Sequence, residues 1–228
     1  MTDASAGFFA EHGYLRLAGL HPRTRMTAIR DKLLDEVKRM SGRGRPDAWR
    51  GLPVFQQIGR LSSMVEYPGL HETLMSRELL DLVAYLAGRP PAVVQDAQLL
   101  LSPPRQGAWT LQGLNWHVDV KAGSRDRLPG IQAFFLIDDV AGQGGATLAL
   151  AGSHRHAPRT PQAAALRERL RAPGDLRRNL RELDIDVVEM AGRAGDVYLM
   201  DMRVLHTPSI NATPRMRMMA TSRCLFDA

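Results

Sequence analysis

The run "NWHVDV" carries His117 and Asp119, two residues of metal-ligating type spaced so that they could act together. Side chains two apart in a strand leave the same face, so both could reach one point beyond a sheet surface. The run is read as strand, with Trp116 and Val118 turned the other way into packing. Two ligands do not hold an ion. Of the other histidines, His206 in "DMRVLHTPSINATPRMR" is best placed, at the end of an apolar run and just before a proline turn. Two imidazoles and one carboxylate on one face of an octahedral ion leave its other positions open, which favours chemistry at the ion. A structural zinc site would close with four protein ligands, usually including several cysteines, and the chain has only Cys224. That cysteine, in the apolar run "CLF", is read as ordinary burial. His154 and His156 form a second pair, but they follow Gly152 and Ser153 in a loop, where strand alternation does not apply. They are read as packing or capping groups.

A chain of 228 residues suits one domain, spanning 1–228, with one well-buried core. Its hydrophobic content of 44% with 24% charged residues is that of a soluble globular protein. No apolar run is long enough to cross a bilayer, the first residues resemble no signal segment, and a single cysteine fits a reducing compartment. A cytoplasmic location is therefore expected. The net charge of +6 and a pI near 10.1 raise the question of a nucleic-acid partner. The arginines are scattered from Arg16 to Arg223, and the densest cluster, "RERLRAPGDLRRNLRE", mixes both signs as a solvated helix pair would. A nucleic-acid partner is disfavoured, and nothing sets an oligomeric state.

The first part of the chain reads as helical with brief extended pieces. "GYLRLAGL" looks like a short strand, and "PRTRMTAIRDKLLDEVKRM" puts Met26, Ile29, Leu33, Val37 and Met40 on one helical face. "SGRGRPDAWRG" is a polar loop, and "SRELLDLVAYLAG" is a second apolar helix stopped by Gly88 and Pro90. After Pro91 the period becomes strand-like, in "AVVQDAQLLLS", "GIQAFFLIDD", "ATLALAG", "IDVVEMAG", "GDVYLMD" and "RMRMMATSRCLF". Mainly β structure follows, as a sandwich or closed barrel with the earlier helices covering one sheet.

Beyond His206, Asn211 lies five residues on and Arg217 eleven residues on, leading into the last strand. This tail resembles the closing signature of the phytanoyl-CoA dioxygenase-like family of Fe(II)- and 2-oxoglutarate-dependent oxygenases. "GGATLALAGSH", Gly144 to His154, is similar to that family's glycine turn, short strand and Gly-Ser-His loop, with Ala151 where proline is usual. "EHGYLRLAGL" resembles its opening segment. The resemblance runs from about Phe9 to the end, though residues 40–90 carry little of it.

The resemblance implies a double-stranded β-helix, a jelly-roll or cupin-like barrel, with the N-terminal helices packed on one sheet. It implies Fe(II) held by His117, Asp119 and His206, with 2-oxoglutarate and O2 as cosubstrates and a small or medium organic substrate, such as a bacterial secondary-metabolite intermediate. Hydroxylation of an unactivated C–H bond, with release of succinate and CO2, is the expected reaction. Arg217 is the expected partner of the far carboxylate of 2-oxoglutarate, because a guanidinium can pair with it through two parallel hydrogen bonds. Arg215 is the reserve, otherwise a surface arginine. Thr221, on the face of Arg217, could add a hydroxyl, and Gln98 and Gln132 could hydrogen-bond the cosubstrate or water. Lys121 could meet an acidic substrate if the strand continues past Asp119. Related iron halogenases have glycine or alanine at the carboxylate position, so Asp119 argues against halogenation. Three other readings stay open. One is an AlkB-like nucleic-acid demethylase, for which Arg217 and Arg223 are six apart but the distal histidine is misplaced. The second is a non-oxidative cupin-like metal-binding barrel. The third is a basic interaction module with no metal at all.

Overall fold

The computed structural model describes residues 3–41, 51–120, 127–156 and 160–227. Helix α1 (Asp3–His12) and strand β1 (Tyr14–Leu17) lead into α2 (Arg23–Ser41), in which Met26, Ile29 and Leu33 are fully buried along the expected stripe. Helices α3 (Val54–Met64), α4 (Leu70–Leu74) and α5 (Arg77–Ala87) follow. Ser76 caps α5 by accepting the Leu79 N–H, and Gly88, at φ 68°, ends it in the left-handed conformation that glycine adopts without steric cost.

The strands are β2 (Val93–Val94), β3 (Gln98–Ser102), β4 (Gly130–Leu136), β5 (Thr147–Ala151), β6 (Asp186–Glu189), β7 (Val197–Asp201), β8 (His206–Pro208) and β9 (Arg217–Leu225). Helices α6 (Pro161–Arg171) and α7 (Leu176–Arg181) lie between β5 and β6. The larger sheet has six strands, ordered β1-β7-β4-β9-β2 with β3 also paired to β9, and the smaller is β6-β5-β8. All pairings are antiparallel. This is the jelly-roll arrangement of two facing sheets.

Alternation along β4 and β9 separates two environments. Ile131, Ala133, Phe135, Met218, Ala220 and Cys224 point outward and pack with Met26, Ile29, Leu33, Leu74, Leu79 and Val83 of the helices. Phe134, Leu136 and Met219 point inward and meet Ala149 of the smaller sheet. Fully burying a side chain of this size contributes roughly 1.5–3 kcal/mol. The inward face also carries Gln132, Arg217, Thr221 and Arg223, so the polar groups of the site share a rigid sheet with an apolar core.

Two expectations change. "NWHVDV" is not a strand: only His117 forms a bridge, to His206, and Val118 is 41% exposed rather than packed. "AVVQDAQLLLS" is broken into β2 and β3, though both pair with β9. Residues 42–50 of the polar loop and Lys121 lie outside the described residues. No helix among the described residues is long and apolar enough to cross a membrane.

Candidate metal and cosubstrate site

His206 opens β8, and His117 is tied to it through the backbone. The N–H of each residue donates to the carbonyl of the other, at 3.0 and 2.9 Å. This double bridge brings the two rings to 4.5 Å between centroids. It does the work that strand alternation was expected to do. The strand carrying His206 is held in turn by Ser153, whose hydroxyl accepts the Leu205 N–H at 2.9 Å. That contact gives the Gly-Ser-His loop its role: Gly152, at φ 86°, turns the chain so that Ser153 reaches the residue before His206.

Both rings are oriented by backbone carbonyls. Nδ1 of His117 lies 2.9 Å from the Asn115 carbonyl, and Nδ1 of His206 lies 3.1 Å from the Val204 carbonyl. A carbonyl can only accept, so the hydrogen sits on Nδ1 and the Nε2 lone pairs are free. Those Nε2 atoms face Asp119, with His117 at 3.7 Å from Oδ1 and His206 at 3.7 Å from Oδ2. One ligand atom from each of the three residues lies within 4.8 Å of the others, a cluster that fits one ion. Burial lowers the His206 pKa despite the nearby Asp119 charge, which keeps the ring neutral and available as a ligand.

Asp119 is held from its other side by Arg223, whose Nε and Nη2 donate to Oδ2 at 3.0 and 2.6 Å. Burial works to raise the carboxyl pKa, but the Arg223 hydrogen bonds, with the charge of its guanidinium, outweigh it and hold the group below its ordinary range. The carboxylate is therefore ionised. Arg223 was legible only as one member of an arginine pair; its pairing with a residue 104 positions away was not.

Arg217 is 3% exposed on the inner face of β9. Its Nε donates to the Gly145 carbonyl at 2.8 Å and its Nη1 to the Leu100 carbonyl at 2.6 Å. No carboxylate pairs with it among the described residues. Burial pulls its pKa down to about 9, still well above neutrality, so a cation is buried without a counter-ion. Gly145 takes φ 78°, and a Cβ there would lie 2.7 Å from that of Asn211. Only glycine lets the turn approach Asn211 and present its carbonyl to Arg217. Asn211 is fully buried and pins the turn before β9, donating to the Arg215 carbonyl at 2.8 Å and accepting from Thr213. Arg215 itself is exposed and precedes the strand, the surface position that was its alternative reading.

The triad and Arg217 line one cavity of about 580 Å³ between the sheets. Thr221 and Gln132 lie in its wall, with the Thr221 hydrogen already committed within the sheet. The Thr221 hydroxyl spends its hydrogen on the Ala133 carbonyl at 2.9 Å and accepts from Gln132 Nε2 at 3.0 Å. Gln98 reaches the same cavity from an exposed position. His154 Nε2 donates to the Ala10 carbonyl, 3.0 Å away, and the ring packs beside Gly13; His156 is half-buried in the same loop, and neither joins the triad. The residues missed from sequence are Thr147 and the apolar wall of Pro53, Val54, Phe55 and Ile58 at the start of α3. The amphipathic pattern of α3 was the available signal; its exposed Phe55 marks a side left without partners.

Comparison with known proteins agrees with this geometry. Against curated proteins the chain has no match. Among solved structures, AviO1 from Streptomyces viridochromogenes Tue57 is similar at 21% identity and a TM-score of 0.66, covering 99% of this chain and 95% of that one. The non-heme alpha ketoglutarate dependent carbocyclase SnoK from nogalamycin biosynthesis is similar at 19% identity and a TM-score of 0.64, covering 99% and 84%. EctD from S. alaskensis, solved with 2-oxoglutarate and 5-hydroxyectoine, gives 19% identity and a TM-score of 0.66, covering 99% and 76%. These likenesses establish the fold. The sequence profile of the phytanoyl-CoA dioxygenase (PhyH) family matches residues 9–219, nearly the whole chain, and the protein belongs to that family.

Proposed function

We propose that this protein is an Fe(II)- and 2-oxoglutarate-dependent oxygenase that oxidises an unactivated C–H bond of a small or medium organic molecule, releasing succinate and CO2. The observation that carries this reading is the unpaired Arg217 guanidinium buried in the same cavity as His117, Asp119 and His206. A buried cation needs an anion, and a dicarboxylate chelating the metal at one end offers one at the other. The three-ligand donor set fits iron with open positions. Family membership and the 2-oxoglutarate named with EctD support the same cosubstrate.

Each residue then has a task. His117 and His206 offer neutral Nε2 atoms, each fixed by the carbonyl behind its Nδ1. Asp119 offers a carboxylate whose orientation Arg223 sets. Arg217 takes the far carboxylate of 2-oxoglutarate, and Phe134, Ile58 and Leu100 keep the space around the reacting carbon dry. When bound, iron supplies the one-electron oxygen chemistry that side chains cannot.

The substrate is proposed to be a secondary-metabolite intermediate or similar apolar molecule. The carbocyclase and epimerase from nogalamycin biosynthesis among the structural neighbours support that class. An AlkB-like demethylase is disfavoured by the family match and by the cavity's apolar walls. The test is succinate formation from 2-oxoglutarate by the Fe(II)-loaded protein, with a substrate panel read above the uncoupled background. Succinate formation that requires both Fe(II) and an intact Arg217 supports the reading; a protein that binds metal yet never consumes 2-oxoglutarate refutes it and favours a non-oxidative barrel.

A further inference from the structure

Arg223 carries more hydrogen-bond donors than Asp119 uses. Its side chain leaves the inner face of β9 with those of Arg217, Met219 and Thr221, and it lines the cavity. Nε and Nη2 both donate to the same oxygen, Oδ2 of Asp119. A guanidinium has five N–H donors, so the two on Nη1 are left over, and they have no partner among the described residues. These donors are also within reach. The Arg223 side chain is 29% exposed, and its unpartnered Nη1 is not buried.

Charge balance gives those donors a purpose. Among the described lining residues, the groups of fixed charge are Asp119, Arg217 and Arg223. In the loaded site the two positive charges of Fe(II) are matched by Asp119 and by the chelating carboxylate of 2-oxoglutarate. Arg217 is matched by the far carboxylate. Arg223 then keeps a full positive charge with no anion of its own. The cavity it lines is otherwise walled by residues such as Ile58, Leu100, Phe134 and Ile210, surroundings in which an ion pair is stronger than in open water.

We infer that Arg223 is a specificity-determining residue: its Nη1 donors take the carboxylate of a substrate that is a monoanion on an otherwise apolar body. The inference rests on the oxygenase reading of the cavity and adds the functional group that the substrate carries. One unmatched positive charge fits a single carboxylate better than a dianion such as a phosphate monoester. Because the same guanidinium holds Asp119 at 2.6 Å, the anion binds beside the metal ligands and tethers the substrate's apolar part within the cavity.

The test uses the full chain. With Fe(II) and 2-oxoglutarate under argon, the metal-to-ligand charge-transfer band is recorded first; its absence strikes the oxygenase reading, whereas its presence with no carboxylate preference strikes this inference alone. Probes of one shape are then compared on the protein saturated with Mn(II) and 2-oxoglutarate: adamantane-1-carboxylate, its neutral carboxamide and 1-adamantylmethylammonium. Paramagnetic broadening of the probe's proton signals places each beside the ion and gives its affinity. The carboxylate should bind about tenfold more tightly than the carboxamide, with the ammonium weakest. In Arg223→Gln, with Mn(II) still saturating, the preference should fall to about twofold or less while carboxamide binding is unchanged. A displaced Asp119 alone would weaken both probes alike. Arg223→Lys, which keeps the charge, should retain most of the preference. Equal binding of carboxylate and carboxamide, binding of neither, or a preference that survives Arg223→Gln overturns the inference. So does loss of the charge-transfer band on adding the carboxylate, which would place the anion at the cosubstrate's position. The ranking of the probes on the unmodified protein decides the matter if a variant misfolds.

Discussion

Replacing Arg217 with methionine keeps most of the side-chain length and removes the guanidinium. Two effects follow, and the structure separates them. In the fold, the Gly145 and Leu100 carbonyls lose their donors, which costs roughly 1–3 kcal/mol for each acceptor left buried and unmatched. Against this, the variant no longer buries a cation whose desolvation is strong enough to pull its pKa down to about 9. The two terms oppose each other, so the metal-free variant should fold with a modest change in melting temperature. The cosubstrate has no such compensation. Charge-assisted hydrogen bonds contribute about 1.5–3 kcal/mol, so the 2-oxoglutarate dissociation constant should rise roughly 10- to 150-fold. The assay is titration of the charge-transfer band with 2-oxoglutarate under argon, alongside a separate Fe(II) titration that should barely move. Arg217→Lys should fall between, because one ammonium cannot serve both carbonyls and a carboxylate. Cosubstrate affinity within about twofold of the unmodified protein would refute the assignment. A large loss in Arg215→Ala would refute it more specifically, since Arg215 is exposed and outside β9.

Arg223→Met should weaken Mn(II) binding, read by electron paramagnetic resonance, roughly 10- to 100-fold, the usual cost of losing a group that orients a metal ligand; undiminished affinity would mean Asp119 needs no such support. The metal-free protein should lose thermal stability as pH falls. His21, His154 and His206 have pKa values lowered below 6.5 by burial. The unfolded chain takes up protons that the folded one refuses, so their contribution is complete above about pH 6.5 and shrinks as pH falls through that value. Asp119, with its depressed pKa, holds its contribution until pH falls into the carboxylate range. A melting temperature that stays flat from neutral pH to about pH 5 would contradict the burial of these rings. Once a substrate is found, turnover in chloride-rich and bromide-rich buffers should give products of identical mass, because the Asp119 carboxylate fills the position a halide would need. A halogenated product would remove Asp119 from the ligand set.

The triad residues were legible because ligand chemistry is local in type, even when the geometry is not. His117, Asp119 and His206 converge as expected, yet by a different device. The spacing of the pair was read as strand alternation, whereas a two-way backbone bridge between His117 and His206 positions them. Such a bridge joins segments far apart in the chain and leaves no periodic trace. The stripe of α2, the stop of α5, and most strands were legible from hydrophobic period and turn residues. Arg217 was legible from its place after His206, but the partners that bury it, Gly145 and Leu100, come from two other strand regions. Thr221 shows the limit most plainly. A hydroxyl on the right face was foreseen, but whether its hydrogen is free depends on the Ala133 carbonyl across the sheet, which only the pairing of β4 with β9 decides. The α3 wall was missed because residues 40–90 carry little of the family pattern.

The central claim is that one cavity holds iron at His117, Asp119 and His206 and the far carboxylate of 2-oxoglutarate at Arg217. Crystals grown with Fe(II) and 2-oxoglutarate under argon, measured across the iron absorption edge, test it directly. The account predicts one anomalous peak bonded to Nε2 of His117, Nε2 of His206 and an Asp119 oxygen, with the cosubstrate running from that ion to the free edge of the Arg217 guanidinium. Iron bound without one of these three residues, or a cosubstrate whose far carboxylate lies away from Arg217, would contradict it.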